Sequence, residues 1–327
     1  MVNEERLLRV GIIGTGFAAS RRAEAFNNDE RAKLLFASGY DENNLTSFCG
    51  QYGVAPLESS EALTDHPDVD LVVIANVNEE HDRLVRRALE AKKHVIVEYP
   101  LSFDPESAEN LIQLAKTGER LLHVEHIELL GGLHQSQQKY LSEIGNVFAA
   151  NYATVTPARP APRRWTFHKG LFGFPLIAAL SRIHRLTNLF GTVESVSSHC
   201  RYWDAPEEEY FIACLCTAQL RFHNGIIAGV GYGKGEVFWK DDRTFSIHGD
   251  RGSLVYVGET GHLVRDSEEK PLEVGTKRGL FAKDTTMVLD HLYNGSSLYV
   301  RAEESLYALK VAHAAYRSAL SQETEKV

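Results

Sequence analysis

Residues 14–19 read Gly14-Thr15-Gly16-Phe17-Ala18-Ala19, a GxGxxA turn. Its chemistry is done by backbone. The first glycine permits a tight turn, the second lets the main chain approach a pyrophosphate, and Ala19 allows close packing of the helix that follows. That helix presents unpaired N–H groups and its positive dipole end to a diphosphate. Glu98-Tyr99-Pro100 ends an apolar run, and Pro100 turns the chain so that Tyr99 is exposed there. Arg182 and Arg185 are three residues apart in a helical stretch and project from neighbouring positions, where they suit anionic or carbonyl groups. His184 lies about 100° around the helix from Arg185, so one of the two faces a ligand. His123, Glu125 and His126 suggest a metal site, but strand alternation puts His126 on the face opposite the other two. No metal site is therefore expected. Glu125 or His126 is read either as lining a substrate or as hydrogen-bonded core. The loop ARPAPRRWTFHKG gathers Arg159, Arg163, Arg164, His168 and Lys169 around Trp165, either as a receiver of carboxylates or as a solvated loop.

These groups need a scaffold. Apolar runs at LRVGIIG, KLLFASGY, DLVVIANV, KKHVIVEYP and RLLHVEHIEL alternate with stretches of helical spacing. Five strands alternating with helices predict a parallel sheet covered on both faces, a Rossmann-type α/β domain assigned to residues 1–128. The glycine turn follows its first strand, where a dinucleotide site belongs. An acid at the end of strand two would bind the adenosine ribose and repel a 2′-phosphate. Counting back from Tyr52-Gly53-Val54 places Gly39 at that position, which favours NADPH, while Asp41 keeps NADH possible. Arg21 and Arg22 either reach the 2′-phosphate or are solvated. The expected cofactor wall is Gly14, Gly16, Phe17, Ala18, Gly39, Tyr40, Asp41, Ala75, Asn76 and Glu98.

From Asn146 onward period-two alternation replaces helical spacing, with a helical insertion PLIAALSRIHRLTNLFG and two terminal helices, TTMVLDHLYNG and AEESLYALKVAHAAYRSAL. Residues 129–327 are accordingly expected to form an α+β domain with a large, mainly antiparallel sheet. Crevices beside such domains are common substrate sites.

Composition agrees with two globular domains: 327 residues, 43% hydrophobic and 24% charged. A net charge of −9 argues against nucleic acid or an anionic membrane as general partner. No apolar run approaches the ~18 residues of a membrane span, and the acidic start MVNEERLLRV does not resemble a secretory signal, so a cytoplasmic location is expected. Cys49, Cys200, Cys214 and Cys216 show no zinc-type or CxxC spacing and are expected as reduced thiols, with Cys214 and Cys216 packed on one sheet face.

The glycine-turn domain, HVIVEYP, the antiparallel sheet and the terminal helix together resemble the glucose-fructose oxidoreductase and inositol dehydrogenase superfamily. Most members have Glu-Lys-Pro where this chain has Glu98-Tyr99-Pro100, and carry a histidine and an acid on the helix matching residues 177–190, where Ser181 and His184 stand here. Ordinary sugar oxidation is thereby put in doubt. Within the superfamily, HVIVEYP, LLHVEHIELL, LFGFP followed by LSRIHRLTNLFG, and GLFAKDTTMVLDHL are similar to the biliverdin reductase family.

That resemblance implies NAD(P)H, a biliverdin substrate and reduction of its C10 methine, with a proton delivered to a pyrrole nitrogen. It implies Arg185, Tyr99, His184 and Glu125 as catalytic candidates, and Arg182, Arg185, Tyr99, His126, Arg163 and Arg164 as substrate contacts. Glu98 would orient the cofactor's ribose or carboxamide. Arginine, with a pKa above ~12, is a costly literal acid, so Arg185 is read as ordering a water or relaying a solvent proton, with His184 as alternative acid. A sugar or cyclitol oxidoreductase and a non-catalytic dinucleotide sensor are the competing readings. A monomer or weak homodimer is expected.

Overall fold

A computed structural model describes residues 6–266 and 268–327. The chain divides into two compact units. The first takes in the described residues up to Ile127 together with Gly279–Leu306, and the second Glu128–Arg278 with Tyr307–Val327.

In the first unit, β1 (Leu8–Ile13) leads through the glycine turn into α1 (Phe17–Asn27). Then come β2 (Ala32–Ser38), α2 (Glu42–Tyr52), β3 (Ala55–Pro56), α3 (Ser60–Thr64), β4 (Leu71–Ile74), α4 (His81–Glu90), β5 (His94–Val97), α5 (Pro105–Thr117) and β6 (Leu122–Val124). The sheet order is β3-β2-β1-β4-β5-β6, all parallel. Two short crossovers in opposite directions from β1 leave a topological switch point between β1 and β4, at the end of the strands where the glycine turn sits. β3 is a sixth strand; two residues long and exposed, it carries too little apolar pattern to be legible. β6 stops at Val124, so Glu125 and His126 lie beyond the strand and the alternation expected for them does not apply.

The second unit opens with α6 (Gly132–Tyr140) and β7 (Val147–Pro157). A short α7 (Lys169–Phe172) precedes the expected single helical insertion, which is itself broken into α8 (Pro175–Ala178) and α9 (Ser181–Phe190), with Pro175 at the start of α8. Strands β8 (Val193–Asp204), β9 (Phe211–Phe222), β10 (Ile227–Gly235), β11 (Asp242–Gly249), β12 (Gly252–Val257), β13 (Thr260–Arg265) and β14 (Glu268–Leu272) follow. With β15 (Glu325–Lys326) they form a nine-stranded sheet, antiparallel except where β10 runs parallel to β7.

The remaining helices are α10 (Leu280–Asn294) and α11 (Ala302–Ser321). Sequence placed everything after residue 128 in the second domain, but α10 packs with the first unit. Val288, Leu289, Leu292 and Tyr293 join the core of Val10, Ile12, Phe26, Leu34 and Val73. An amphipathic pattern shows that a helix has an apolar face, not which sheet receives it.

Tyr293 pins this return. The Leu8 N–H donates to its hydroxyl at 3.1 Å, and the hydroxyl lies 2.8 Å from the Arg6 carbonyl and 2.7 Å from that of Arg31. Tyr293→Phe keeps the ring and removes these bonds, so it should lower unfolding free energy by ~1–2 kcal/mol in urea titration. An unchanged midpoint would mean that α10 is held by apolar packing alone.

Candidate active site

Gly14 is the point on which three strands close. Its N–H donates to the Ser38 carbonyl at 2.9 Å, the Ala75 N–H donates to the Ile13 carbonyl at 2.8 Å, and its φ of +114° suits glycine. A Cβ on Gly14 would collide with the Ala75 carbonyl. Gly16 caps α1 with no side chain near, leaving the helix N-terminus open. Beside this turn, the buried Ser38 Oγ and both amide atoms of Asn76 have no hydrogen-bond partner among the described residues. Buried polar atoms are rarely left so, and three of them at the carboxyl ends of β2 and β4 fit a polar ligand there.

At the end of β2, Gly39 abuts Thr15, whose methyl would lie 2.9 Å from an added Cβ. Tyr40 is 71% exposed and Phe17 74%. The Asp41 carboxylate accepts from the Asn44 N–H at 2.7 Å and caps α2, so the acid expected to keep NADH possible is already engaged. Arg21 is exposed, pairs with Glu24 at 2.8 Å, and stays available to a phosphate. Arg22 does not: it is 0% exposed, with its guanidinium on Asp284 and within 3.4 Å of Glu98. One residue of helical rotation separates a solvent arginine from a core arginine.

Around Arg22 lies a buried charge network within the first unit. Asp284 also binds His123 Nε2 at 2.7 Å, and Thr285 Oγ1 accepts from Arg22 at 3.1 Å. Burial opposes ionisation of Asp284, but Arg22 and His123 overcome it and hold the carboxyl below the ordinary range. Glu98 moves the other way: burial raises it despite Arg22 and a hydrogen bond to Glu125. Glu125 in turn accepts from the Ile127 N–H at 2.6 Å. The bond to Glu125 favours the charged form of Glu98, so within this carboxyl pair the proton belongs on Glu125. Tyr99 stacks on His126 with ring centroids 5.1 Å apart and 10° between planes, and His126 Nε2 lies 2.8 Å from Ser305 Oγ. Glu98, Tyr99, Glu125 and His126 are thus gathered at the ends of β5 and β6. His123, Asp284 and Arg22, which hold them, were not expected there. A lone acid preceding the apolar face of TTMVLDHL was the available signal for Asp284.

In the second unit, α9 places Arg185 over Tyr152 of β7, 5.8 Å from the ring centroid, and Arg182 over Tyr232 of β10 at 5.5 Å. Tyr152 pairs with Val230 and Thr154 with Tyr232 across the parallel β7–β10 register, so the two guanidiniums sit on one face of the sheet. They differ in freedom. Arg182 donates to Thr154 Oγ1 at 3.3 Å and Ser181 Oγ at 2.8 Å. Arg185 is 6% exposed, yet its Nε and Nη1 have no hydrogen-bond partner among the described residues. His184 is buried. His134 Nε2, also unforeseen, donates to Asn188 Oδ1 at 2.8 Å and so ties α6 to α9 one turn from Arg185.

Most cations of the basic loop have partners within the protein. Arg163 is paired with Glu207, Lys169 with Asp204 at 2.7 Å, Arg159 donates to the Glu236 carbonyl at 2.6 Å, and His168 caps α7. Distant acids and carbonyls have taken these charges. Arg164 is exposed and donates to Thr166 Oγ1 at 3.0 Å, with no carboxylate partner among the described residues.

A 3-2-1-4-5-6 parallel sheet with a glycine turn at its switch point, joined in sequence to a large antiparallel sheet, defines an NAD(P)H-dependent oxidoreductase. Two family models match: Oxidoreductase family, NAD-binding Rossmann fold, over residues 8–126, and Oxidoreductase family, C-terminal alpha/beta domain, over residues 141–327. The chain belongs to this Gfo/Idh/MocA oxidoreductase family. It is 52% identical to the biliverdin reductase of Synechocystis sp. PCC 6803 solved in complex with biliverdin and NADP+, covering 95% of this chain and 98% of that one, with a TM-score of 0.94. It is 27% identical to mouse biliverdin reductase A over 94% of this chain and 95% of that protein. Levoglucosan dehydrogenase, 19% identical with a TM-score of 0.84 over 98% of this chain and 100% of that one, shares the fold. No described helix is long and apolar enough to cross a membrane.

His134 sets a pH dependence. Burial, then the charge of Arg185, lowers it to about 4 although Asn188 favours the charged form. Below its unfolded value near 6.5 the unfolded chain binds a proton that the fold refuses, so stability falls as pH drops from ~6.5 and levels off below about 4. The full effect is ~3 kcal/mol. In denaturant titrations between pH 4 and 7, His134→Gln should flatten this slope; parallel wild-type and variant curves would remove His134 as its source.

Proposed function

We propose that the protein reduces biliverdin to bilirubin with NADPH. The observation that carries this reading is the 52% identity over 95% of the chain to an enzyme solved with biliverdin and NADP+. Supporting it are the orphaned polar atoms beside the glycine turn, which suit a dinucleotide, and the buried Arg185 with two unsatisfied N–H groups. Tyr99 where superfamily members commonly have lysine agrees with a reaction that involves no substrate hydroxyl.

Gly14, Gly16 and the first turn of α1, with Phe17 and Ala18, hold the diphosphate. Ser38, Gly39 and Tyr40 receive the adenosine end, where no acid repels a 2′-phosphate and Arg21 attracts one. Ala75, Asn76 and Glu98 meet the nicotinamide half, Asn76 with an amide that supplies both donor and acceptor. The bound cofactor supplies the hydride that goes to C10 of the bilin.

The protein's own part is position, charge and a proton. Arg185 binds a pyrrole carbonyl or propionate and stabilises the charge that builds on the bilin nitrogens. An arginine surrenders a proton only above pH ~12, so Arg185 orders the water that delivers it. Glu125, hydrogen-bonded to Glu98, is a second proton source, and Tyr99, held flat by His126, is a stacking surface for a planar pigment. Arg182 and Arg164 are the remaining cations for propionates, and His184 is the alternative donor.

The test is spectroscopic. Biliverdin mixed with NADPH and enzyme should lose its red absorption as the blue-shifted bilirubin band grows; no change between mildly acidic and neutral pH rejects the function. Arg185→Ala should lower kcat by ~100-fold while leaving NADPH affinity within about twofold, and an unchanged rate removes Arg185 from the mechanism. For cofactor choice, Gly39→Asp in a Thr15→Ser background, which removes the methyl 2.9 Å from the new Cβ, should raise KM for NADPH by ~10-fold or more and spare NADH. Equal loss with both would place discrimination elsewhere.

A further inference from the structure

The four cysteines, expected as reduced thiols with Cys214 and Cys216 packed on one sheet face, are all free, but two of them face each other. Cys200 of β8 and Cys216 of β9 are direct partners in the antiparallel register. Directly opposed residues in such a ladder have Cα atoms ~4.5 or ~5.5 Å apart, depending on the hydrogen-bonding position, and share a sheet face. Both values fall within the ~4.4–6.8 Å that a disulfide spans. Cys214 is also on this face, but its cross-strand neighbours are Tyr202 on one side and Lys234 on the other, so it lacks a thiol directly opposite.

The two sulfurs are chemically unequal. The Cys216 thiol hydrogen-bonds Cys200 and lowers its pKa, with Tyr202 adding to the effect against the penalty of burial. Burial, reinforced by Cys200, pushes Cys216 well up. Cys200 is half-buried and within reach of a small reagent, whereas Cys216 is fully buried behind it. A thiolate-biased, reachable sulfur beside a sheltered partner is the arrangement of an attacking and a resolving cysteine.

We propose that Cys200 and Cys216 form a reversible cross-strand disulfide on reaction with a hydroperoxide. The Cys200 thiolate attacks the peroxide, forming an S–O bond as the O–O bond breaks; the released oxygen leaves as water or an alcohol. Cys216 sulfur then attacks the sulfenic sulfur, the S–S bond forms, the S–O bond breaks, and the hydroxyl leaves as water with the second thiol proton. Two thiols lose two electrons in all, and the peroxide gains them. The proposal is independent of which substrate the enzyme reduces.

The experiment treats the full-length protein with hydrogen peroxide, blocks remaining thiols, and reads intact mass and proteolytic peptides. Expected are loss of two hydrogen masses, loss of two of the four titratable thiols, one joined peptide pair containing Cys200 and Cys216, and reversal by dithiothreitol. Cys200→Ser and Cys216→Ser should each abolish the mass loss, and Cys49→Ser should retain it. Addition of oxygen without joining, a bridge involving Cys214, or unchanged thiols would overturn the proposal. The peptide map of the unmutated protein decides it should a variant fail to fold.

Discussion

The first unit is organised around a charge pair that water cannot reach. Arg22 and Asp284 are both 0% exposed, and each alone would be an uncompensated ion in the core. Leaving either without the other costs ~3–5 kcal/mol, a large part of a domain's stability. Their contact spans 262 residues of sequence and therefore dictates that α10 pack beside α1. His123 at β6 and Glu98 after β5 complete the same network, so the charges that close the core also set the carboxyl ends of the strands. The site is built on its own foundation: Glu98 belongs to the network on one side and to Glu125 on the other.

The second unit has a different logic. Its two arginines rest on tyrosine faces from adjacent strands, an arrangement that retains charge in a desolvated place through ring quadrupoles. Arg182 is satisfied by hydroxyls, while two buried guanidinium nitrogens of Arg185 have no hydrogen-bond partner among the described residues. Each unsatisfied buried donor costs ~1–3 kcal/mol in the resting protein. Retaining that cost on a well-packed helix is reasonable where a ligand's oxygen removes it on binding, and this distinguishes Arg185 from Arg163 and Lys169 of the basic loop, which are paired with acids.

What could be read from sequence was local. The glycine turn, the strand–helix alternation and the later period-two pattern each lie within a few residues, and each fixes a backbone geometry. What escaped depends on register or on distant partners. Arg21 and Arg22 are chemically identical until the helix is docked. Arg163 and Lys169 gather into a basic cluster only if Glu207 and Asp204 are forgotten. His126 was assigned a face by continuing a strand that ends at Val124. The Cys200–Cys216 pairing is invisible without the β8–β9 register, because spacing rules recognise cysteines near in sequence.

The proposed direction of chemistry turns on the residue that follows Glu98. Oxidising an alcohol with a nicotinamide requires a group that accepts the hydroxyl proton, which lysine in the Glu-Lys-Pro position serves by dropping its pKa on desolvation. Tyr99 occupies that place, flat against His126, and beside it Glu98 is pushed by burial toward its protonated form in contact with Glu125. Hydride addition to a conjugated bridge consumes one proton for every turnover. The missing lysine and the water-ordering role proposed for Arg185 therefore agree with the proposed reduction, on a backbone frame shared with levoglucosan dehydrogenase.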